Sequence, residues 1–249
     1  MKTLRLAIVL LMGGFATSAT SQEPGVVNVV VANRTIAGVL ECRTLADNAY
    51  CGRDEFTITH HVDGTRALRA LAVSDIRGLQ IDIVLRVDRA FRPLEAFTQS
   101  YSDGKFLGVG FFAVSDDTLS ALTKTPQRIV SETIPVPDRF SMLLHPVSAD
   151  GWHFGHYDKA AGGRQSVPRC AVGGARESVR CALSESELAY VGPERLTVPA
   201  GTFETEHYRF GQNTEVWLAG PDYMMVQHEF KRFGTRYRLT AYTETRTPD

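Results

Sequence analysis

The chain has 249 residues, a formal net charge of −1 and a sequence pI near 6.7. Hydrophobic residues make up 43% and charged residues 22% of it, enough to build a sizeable core without outside help. There is no basic excess or basic stripe, which argues against a nucleic-acid partner. Glycine-rich phosphate-binding patterns are also missing, which argues against ATP or NAD chemistry, and no cofactor is expected.

The N-terminus carries Lys2 and Arg5, an apolar run from Leu6 to Met12, and then small residues at Ala16, Thr17, Ser18 and Ala19. This is the layout of a secretory signal peptide over residues 1–21, cut after Ala19 or Ser21. The run is far short of the ~20 residues needed to span a membrane, no later stretch is long enough, and no Cys stands at the cut for a lipid anchor. The chain is therefore expected to be periplasmic or secreted and not membrane-spanning. Losing Lys2 and Arg5 takes the net charge from −1 to about −3. Residues 22–249 are read as a single β-rich domain.

Four cysteines, Cys42, Cys51, Cys170 and Cys181, allow three disulfide pairings in an oxidising compartment. The local pairs Cys42/Cys51 and Cys170/Cys181 are favoured, since each encloses turn residues, Asp47-Asn48 and Gly173-Gly174. Closing loops of this size contributes roughly 2–3 kcal/mol each in the chain-entropy model. A zinc site is the rival reading, but neither spacing fits C-x2-4-C, and no metal is expected.

Period-two alternation dominates the remainder of the chain. EFTITHHV places Phe56, Ile58, His60 and Val62 on one face, and Asp63-Gly64 reads as a hairpin turn into the returning strand TRALRALAV. LQIDIVLRVD sets Leu79, Ile81, Ile83, Leu85 and Val87 against Gln80, Asp82, Val84 and Arg86. PLEAFTQSY and KFLGVGFFAV flank a second hairpin at Asp103-Gly104, and QRIVSETIP is a further strand. DRFSMLLHP, residues 138–146, is the best helix candidate, with Asp138 as cap, Phe140, Leu143 and Leu144 at helical spacing, and Pro146 as its end. Residues 158–178 read as a long loop. SVRCALSE, ELAYVGPERLTVP, TFETEHYRF, TEVWLAG with YMMVQHEF, and TRYRLTAYTE complete about a dozen strands. The fold class is mainly β: a large curled antiparallel sheet or half-barrel, with one or two helices covering an apolar cavity.

The C-terminal third resembles a family of exported bacterial proteins of unknown function with the signature V-P-A-G-x-F-x-T … W-x-A … G-x-x-Y-x-L. The matching residues are Val198, Pro199, Ala200, Gly201, Phe203 and Thr205, then Trp217 and Ala219, then Gly234, Tyr237 and Leu239. The resemblance covers about the last 60 residues. That family is similar in architecture to the lipoprotein-localisation factors, which implies an incomplete β-barrel around an apolar cavity. It carries no catalytic residues. Read physically, V-P-A-G is a turn device between strands.

HPVSADGWHFGH, residues 145–156, gathers titratable groups more densely than any other stretch. As a strand it puts His153 and Tyr157 on one face and Trp152, Phe154 and His156 on the other, so the two imidazoles cannot share a metal; Gly151 and Gly155 argue against a helix. The catalytic candidates are His145, Asp150, His153 and His60, because an imidazole near a carboxylate can act as general base at neutral pH. Against this stands the reading of 145–156 as a helix exit and a turn. Trp152, Trp217, Tyr190, Tyr208, His228 and Arg86 are the candidates to line a ligand pocket, set against the commoner role of buried rings as core.

Three functions fit. The first is a periplasmic protein binding a hydrophobic small ligand, acyl or aromatic, in a β-barrel-like cavity. The second is a cofactor-independent lyase, isomerase or hydrolase acting on a bulky apolar or aromatic substrate in that cavity. It would use a His base, with Tyr190, Tyr208 or Arg86 stabilising an oxyanion. The third is a structural partner for another envelope protein.

Overall fold

A computed structural model describes residues 32–172 and 181–247. The expected signal peptide, residues 1–21, lies outside them. The described residues form one curled sheet of fifteen strands. Its first half is β1 (Ala32–Thr44), β2 (Tyr50–His61), β3 (Arg66–Ser74), β4 (Leu79–Val87), β5 (Pro93–Ser102), β6 (Lys105–Ser115), β7 (Thr118–Lys124) and β8 (Ile129–Pro135). The second half is β9 (Ser141–Leu143), β10 (Arg164–Val172), β11 (Cys181–Val198), β12 (Gly201–Phe210), β13 (Thr214–Ala219), β14 (Met224–Phe230) and β15 (Thr235–Arg246). Each half is an antiparallel meander, and β1 pairs with β15 to join them.

The two edges of the sheet are β8 and β9, which are consecutive in the chain. Only residues 136–140 connect them, so the edges lie within roughly 21 Å of each other. Fifteen strands laid flat would measure roughly 67 Å across. The sheet therefore has to curl, and its concave face becomes an interior. Period-two patterning fills that face: Ile36 and Leu40 of β1, Ile81, Ile83 and Leu85 of β4, and Leu239 of β15 are all buried. The convex face carries charged pairs such as Arg53–Glu55 and Arg86–Glu95.

β9 runs parallel to β10, the one exception to the antiparallel rule among the described strands. A parallel pair needs a crossover connection. Here it passes through the lumen as a short helix α1 (Val147–Asp150) continued by a 3-10 helix, Gly151–His156. Val147, Ala149, Trp152 and Phe154 are all buried, together with Ser148, Asp150, His153 and His156, so the segment acts as a plug.

The expected helix over 138–146 is displaced to 147–156. Phe140, Met142 and Leu144 are the buried positions, a period of two, and Ser141–Leu143 is an edge strand. Pro146 starts the helix instead of ending it, because a first-turn residue needs no N–H donor. The loop expected over 158–178 contains β10. Val167 and Cys170 are both buried three residues apart, and that break in alternation hides the strand in the sequence. Both disulfides join the local pairs, Cys42 to Cys51 and Cys170 to Cys181.

The plug fits because it approaches its neighbours closely at two glycines. A Cβ at Gly151 would stand 2.2 Å from the Tyr223 backbone oxygen, and one at Gly155 would stand 2.4 Å from the Phe91 ring. Gly151→Ala is expected to destabilise the protein by about 1–3 kcal/mol, as overpacking against backbone does. Urea unfolding measures it, and unchanged stability would show that the plug has room to shift.

Candidate functional site

The lumen above the plug holds a cavity of about 490 Å³. Its apolar walls come from β3, β4, β9, β12 and β14, with Val73, Leu79, Ile81, Leu143, Phe210 and Phe230 among the lining residues. Polar groups interrupt these walls: His145 and Asp150 from the crossover, Arg169 from β10, and Thr235 and Tyr237 from β15, with Arg77 at the mouth.

Asp150 ends α1 and points between two imidazoles. His153 Nε2 lies 3.6 Å from Oδ1 and His228 Nε2 lies 3.3 Å from Oδ2, with all three side chains buried. Both separations exceed a well-formed hydrogen bond. Asp150 Oδ1, His153 Nε2 and both ring nitrogens of His228 thus have no hydrogen-bond partner among the described residues. Burial pushes the Asp150 pKa up, but the two imidazoles outweigh it and hold the group at about 2. Behind the carboxylate, His153 Nδ1 meets Ser141 Oγ at 2.8 Å. With Nε2–H directed at the carboxylate, Nδ1 accepts the Ser141 hydroxyl proton. Two aromatic walls hold the rings, Phe210 stacked on His153 (5.2 Å, 10°) and Phe230 tilted against His228 (4.0 Å, 50°).

His145 adopts a left-handed backbone, φ 78°, unusual for a residue with a side chain. Its ring lines the cavity, through which solvent reaches it, and Nε2 donates to the Val172 carbonyl at 2.8 Å. That bond places the proton on Nε2 and leaves Nδ1 basic. Surrounding protein atoms lower its pKa, opposed by the charge of Asp150. Arg169 is half-buried over the Phe210 ring, 5.2 Å from its centroid, and desolvation lowers its pKa.

A second carboxylate stands beside the first. Asp54 on β2 is fully buried, accepting from Ser148 N at 2.8 Å and from Ser148 Oγ at 3.1 Å. Desolvation wins over these bonds, aided by the charge of Asp150, and pushes its pKa up to about 7. Asp54 is not among the sequence candidates. The alternation is recognised only from Glu55 onward, yet Asp54 shares the parity of the interior residues Phe56 and Ile58, and that parity is the available signal.

The remaining candidates lie elsewhere. His153 and His156 are three residues apart on a 3-10 turn, which repeats every three, so they share a side and do not oppose each other as in a strand. His156 faces the far end of the lumen, where burial first, then the charges of His153 and Arg139, lower its pKa to about 4. His60 is half-buried near the far end of β2 and bonds Asn33 Oδ1 at 2.9 Å, far from Asp150. Trp152 packs in the plug, its Nε1 donating to the Asp222 carbonyl at 3.0 Å. Trp217 lies on the convex face, stacked on His207 at 4.2 Å with Nε1 on Glu194. Arg86 is also outside, paired with Glu95 at 2.8 Å. Tyr208 is the centre of a buried ring cluster with Phe154, Tyr157 and Tyr190, and Tyr190 reaches its rim under Lys159. Of the sequence candidates, His145 and Asp150 line the 490 Å³ cavity and the others do not.

No family model matches the chain, and no curated protein is similar to it at a significant level. Among solved structures it is similar to a β-barrel-like protein of a domain of unknown function, DUF1849, from Brucella abortus. The TM-score is 0.54 at 7% identity, covering 87% of this chain and 98% of that one. The likeness is one of fold alone. A DUF1089 family protein from Pseudomonas aeruginosa gives a TM-score of 0.38 at 11% identity, over 66% and 83% of the two chains.

Asp54 and Asp150 have opposite consequences for stability. The folded-state pKa of Asp54, about 7, lies above its unfolded value of about 3.9. Between those values the folded chain keeps a proton that the unfolded chain has lost, so this contribution declines as pH rises through the window. The contribution of Asp150 is present above the unfolded value and is lost as pH falls toward 2. Asp54→Asn should flatten the decline between pH 4 and 7 and be the more stable protein at pH 8, by an amount on the order of a few kcal/mol. Denaturant midpoints across pH measure this; identical slopes in both proteins would contradict it.

Proposed function

We propose that this is a periplasmic or secreted protein that binds a hydrophobic small molecule, acyl or aromatic, in the cavity above the plug. The observation that carries the reading is a hollow of about 490 Å³, open at its mouth, whose walls are largely aliphatic and aromatic and which a few ionisable groups enter. Ligand sites commonly measure about 300–1,000 Å³ and combine apolar lining with a few placed polar groups. Arg169, His145 and Asp150 supply those ionisable groups and favour an amphipathic ligand over a purely hydrocarbon one. The two disulfides suit an oxidising compartment. The C-terminal signature, with its likeness in architecture to lipoprotein-localisation factors, adds support for a sheltering half-barrel.

Native mass spectrometry of gently isolated protein tests this. A co-purified small molecule is expected, and Leu79→Trp, which fills the hollow, should remove it. Phe111→Ser, on the convex face, should leave it in place. Protein that is ligand-free in every preparation and takes up no added fatty acid or hydrophobic aromatic would overturn the reading.

One observation favours the enzyme as a second reading: His145 presents Nδ1 as a neutral base in the same cavity as an ionised Asp150. Ser141 does not line the cavity, so the Ser141–His153–Asp150 chain is not arranged as a nucleophile facing substrate. This favours proton transfer over acyl transfer. If the reading holds, His145→Gln should lower kcat on a turned-over apolar substrate by about 10²–10⁴-fold while leaving binding intact. Equal turnover by the variant would remove His145 as the base.

A further inference from the structure

The mouth of the cavity is framed by two turns of the same design. Asp75–Arg77 joins β3 to β4 and Lys231–Phe233 joins β14 to β15. Each is a single 3-10 turn closed by a left-handed glycine, Gly78 at φ 57° and Gly234 at φ 61°. The turns carry Ile76 and Phe233, which line the cavity yet stay 60% and 54% exposed. Leu45, 40% exposed, stands beside them, its backbone N–H donating to the Gly234 carbonyl at 2.7 Å. Large apolar side chains gathered round an opening mark a contact surface.

The charges on these turns indicate what it contacts. They carry three basic residues against one acidic residue, Asp75. The Arg77 guanidinium sits 4.7 Å over the Phe233 ring and that of Arg232 sits 5.9 Å from it. Neither makes an ion pair among the described residues, whereas Lys231 is paired with Glu215 at 2.5 Å. Apolar tips with unpaired guanidiniums stacked on them match a surface whose outer layer is anionic and whose inner layer is oily.

We propose that the cavity mouth docks on an anionic lipid surface. Ile76, Phe233 and Leu45 enter the boundary between headgroups and acyl chains, and Arg77 and Arg232 meet the phosphates. An amphipathic ligand then passes between bilayer and cavity without crossing water. The convex face offers a contrast: Val84, Phe97, Phe111 and Leu122 form an apolar row across β4 to β7, but the charges beside it are of both signs, Arg69 and Arg86 with Asp82 and Glu95, and Arg86 is paired with Glu95.

Flotation of the exported protein with phosphatidylcholine vesicles, with and without phosphatidylglycerol, tests the docking. Binding is expected only where phosphatidylglycerol is present and should weaken as salt rises. Arg77→Gln and Arg232→Gln should each weaken it roughly fivefold. Ile76→Ser with Phe233→Ser should weaken it roughly tenfold or more, and Phe111→Ser should bind like the unaltered chain. Failure to float with anionic vesicles, or equal losses from Phe111→Ser and the mouth variants, overturns the proposal. The docking goes beyond the ligand-binding reading, and native mass spectrometry of the same samples separates the two. A protein that carries ligand yet ignores vesicles refutes docking and leaves ligand binding standing.

Discussion

β8 and β9 follow one another in the chain yet stand at opposite edges of fifteen strands, and β9 must run parallel to its neighbour β10. The first condition curls the sheet. The second obliges the chain to travel back along the strands before β10 can begin. Two routes exist for that return, over the charged convex face or through the lumen. Val147, Ala149, Trp152 and Phe154 settle it, since burying a large apolar side chain is worth roughly 1.5–3 kcal/mol. The crossing then divides the interior. Its lower part packs against Phe91, Tyr208 and Tyr223 and leaves little space, and the room that remains above it is the cavity.

The foot of the plug is held by a charge cluster that joins both halves of the sheet. Asp222, in the turn between β13 and β14, receives Arg34 of β1 at 2.5 Å and Arg66 of β3 at 2.7 Å. Its own carbonyl accepts the Trp152 indole. A buried carboxylate needs such partners, because the cost of removing it from water is several kcal/mol. At the upper end the polar groups are less well satisfied. Asp54 and Asp150 are both buried but move in opposite directions, since Asp54 faces the Ser148 donors and the like charge of Asp150, whereas Asp150 faces two imidazoles. Unpaired buried polar atoms are uncommon in folded proteins, and four of the nine found among the described residues belong to Asp150, His153 and His228. A region that breaks the ordinary rule of polar satisfaction is where function is expected to override stability.

The curled sheet was legible because alternation survives in most strands. LQIDIVLRV and EFTITHH place their buried residues as the pattern demands, and the local disulfides follow from short loops between paired strands. The plug was not legible. A crossing segment inside a barrel is buried on nearly every side, so it lacks the one-faced period by which helices are recognised, and its glycines look like breakers until the backbone behind them is known. The site was half legible for the same reason. His145, Asp150 and His153 stand out as a dense local cluster, and His228 as an interior-facing histidine. Their meeting depends on the crossover, which brings residue 228 within 3.3 Å of residue 150. Trp217 and Arg86 show the opposite error, since a ring or cation on the convex face is indistinguishable by type from one on the concave face until parity is anchored.

The mouth of the cavity also comes from the curl and not from any one loop. The turns DIRG and KRFG belong to two hairpins, β3–β4 and β14–β15, with β2 and β1 between them in the sheet. On a flat sheet the gap between them would be roughly 15 Å or more, at about 4.8 Å per strand. The curvature folds that gap inward until Arg77 rests on Phe233. The same bend that creates the hollow thus sets two apolar, basic turns at its opening. Any change that flattened the sheet would lose the hollow and the opening together, whereas changes confined to the turns would alter only what the opening can touch.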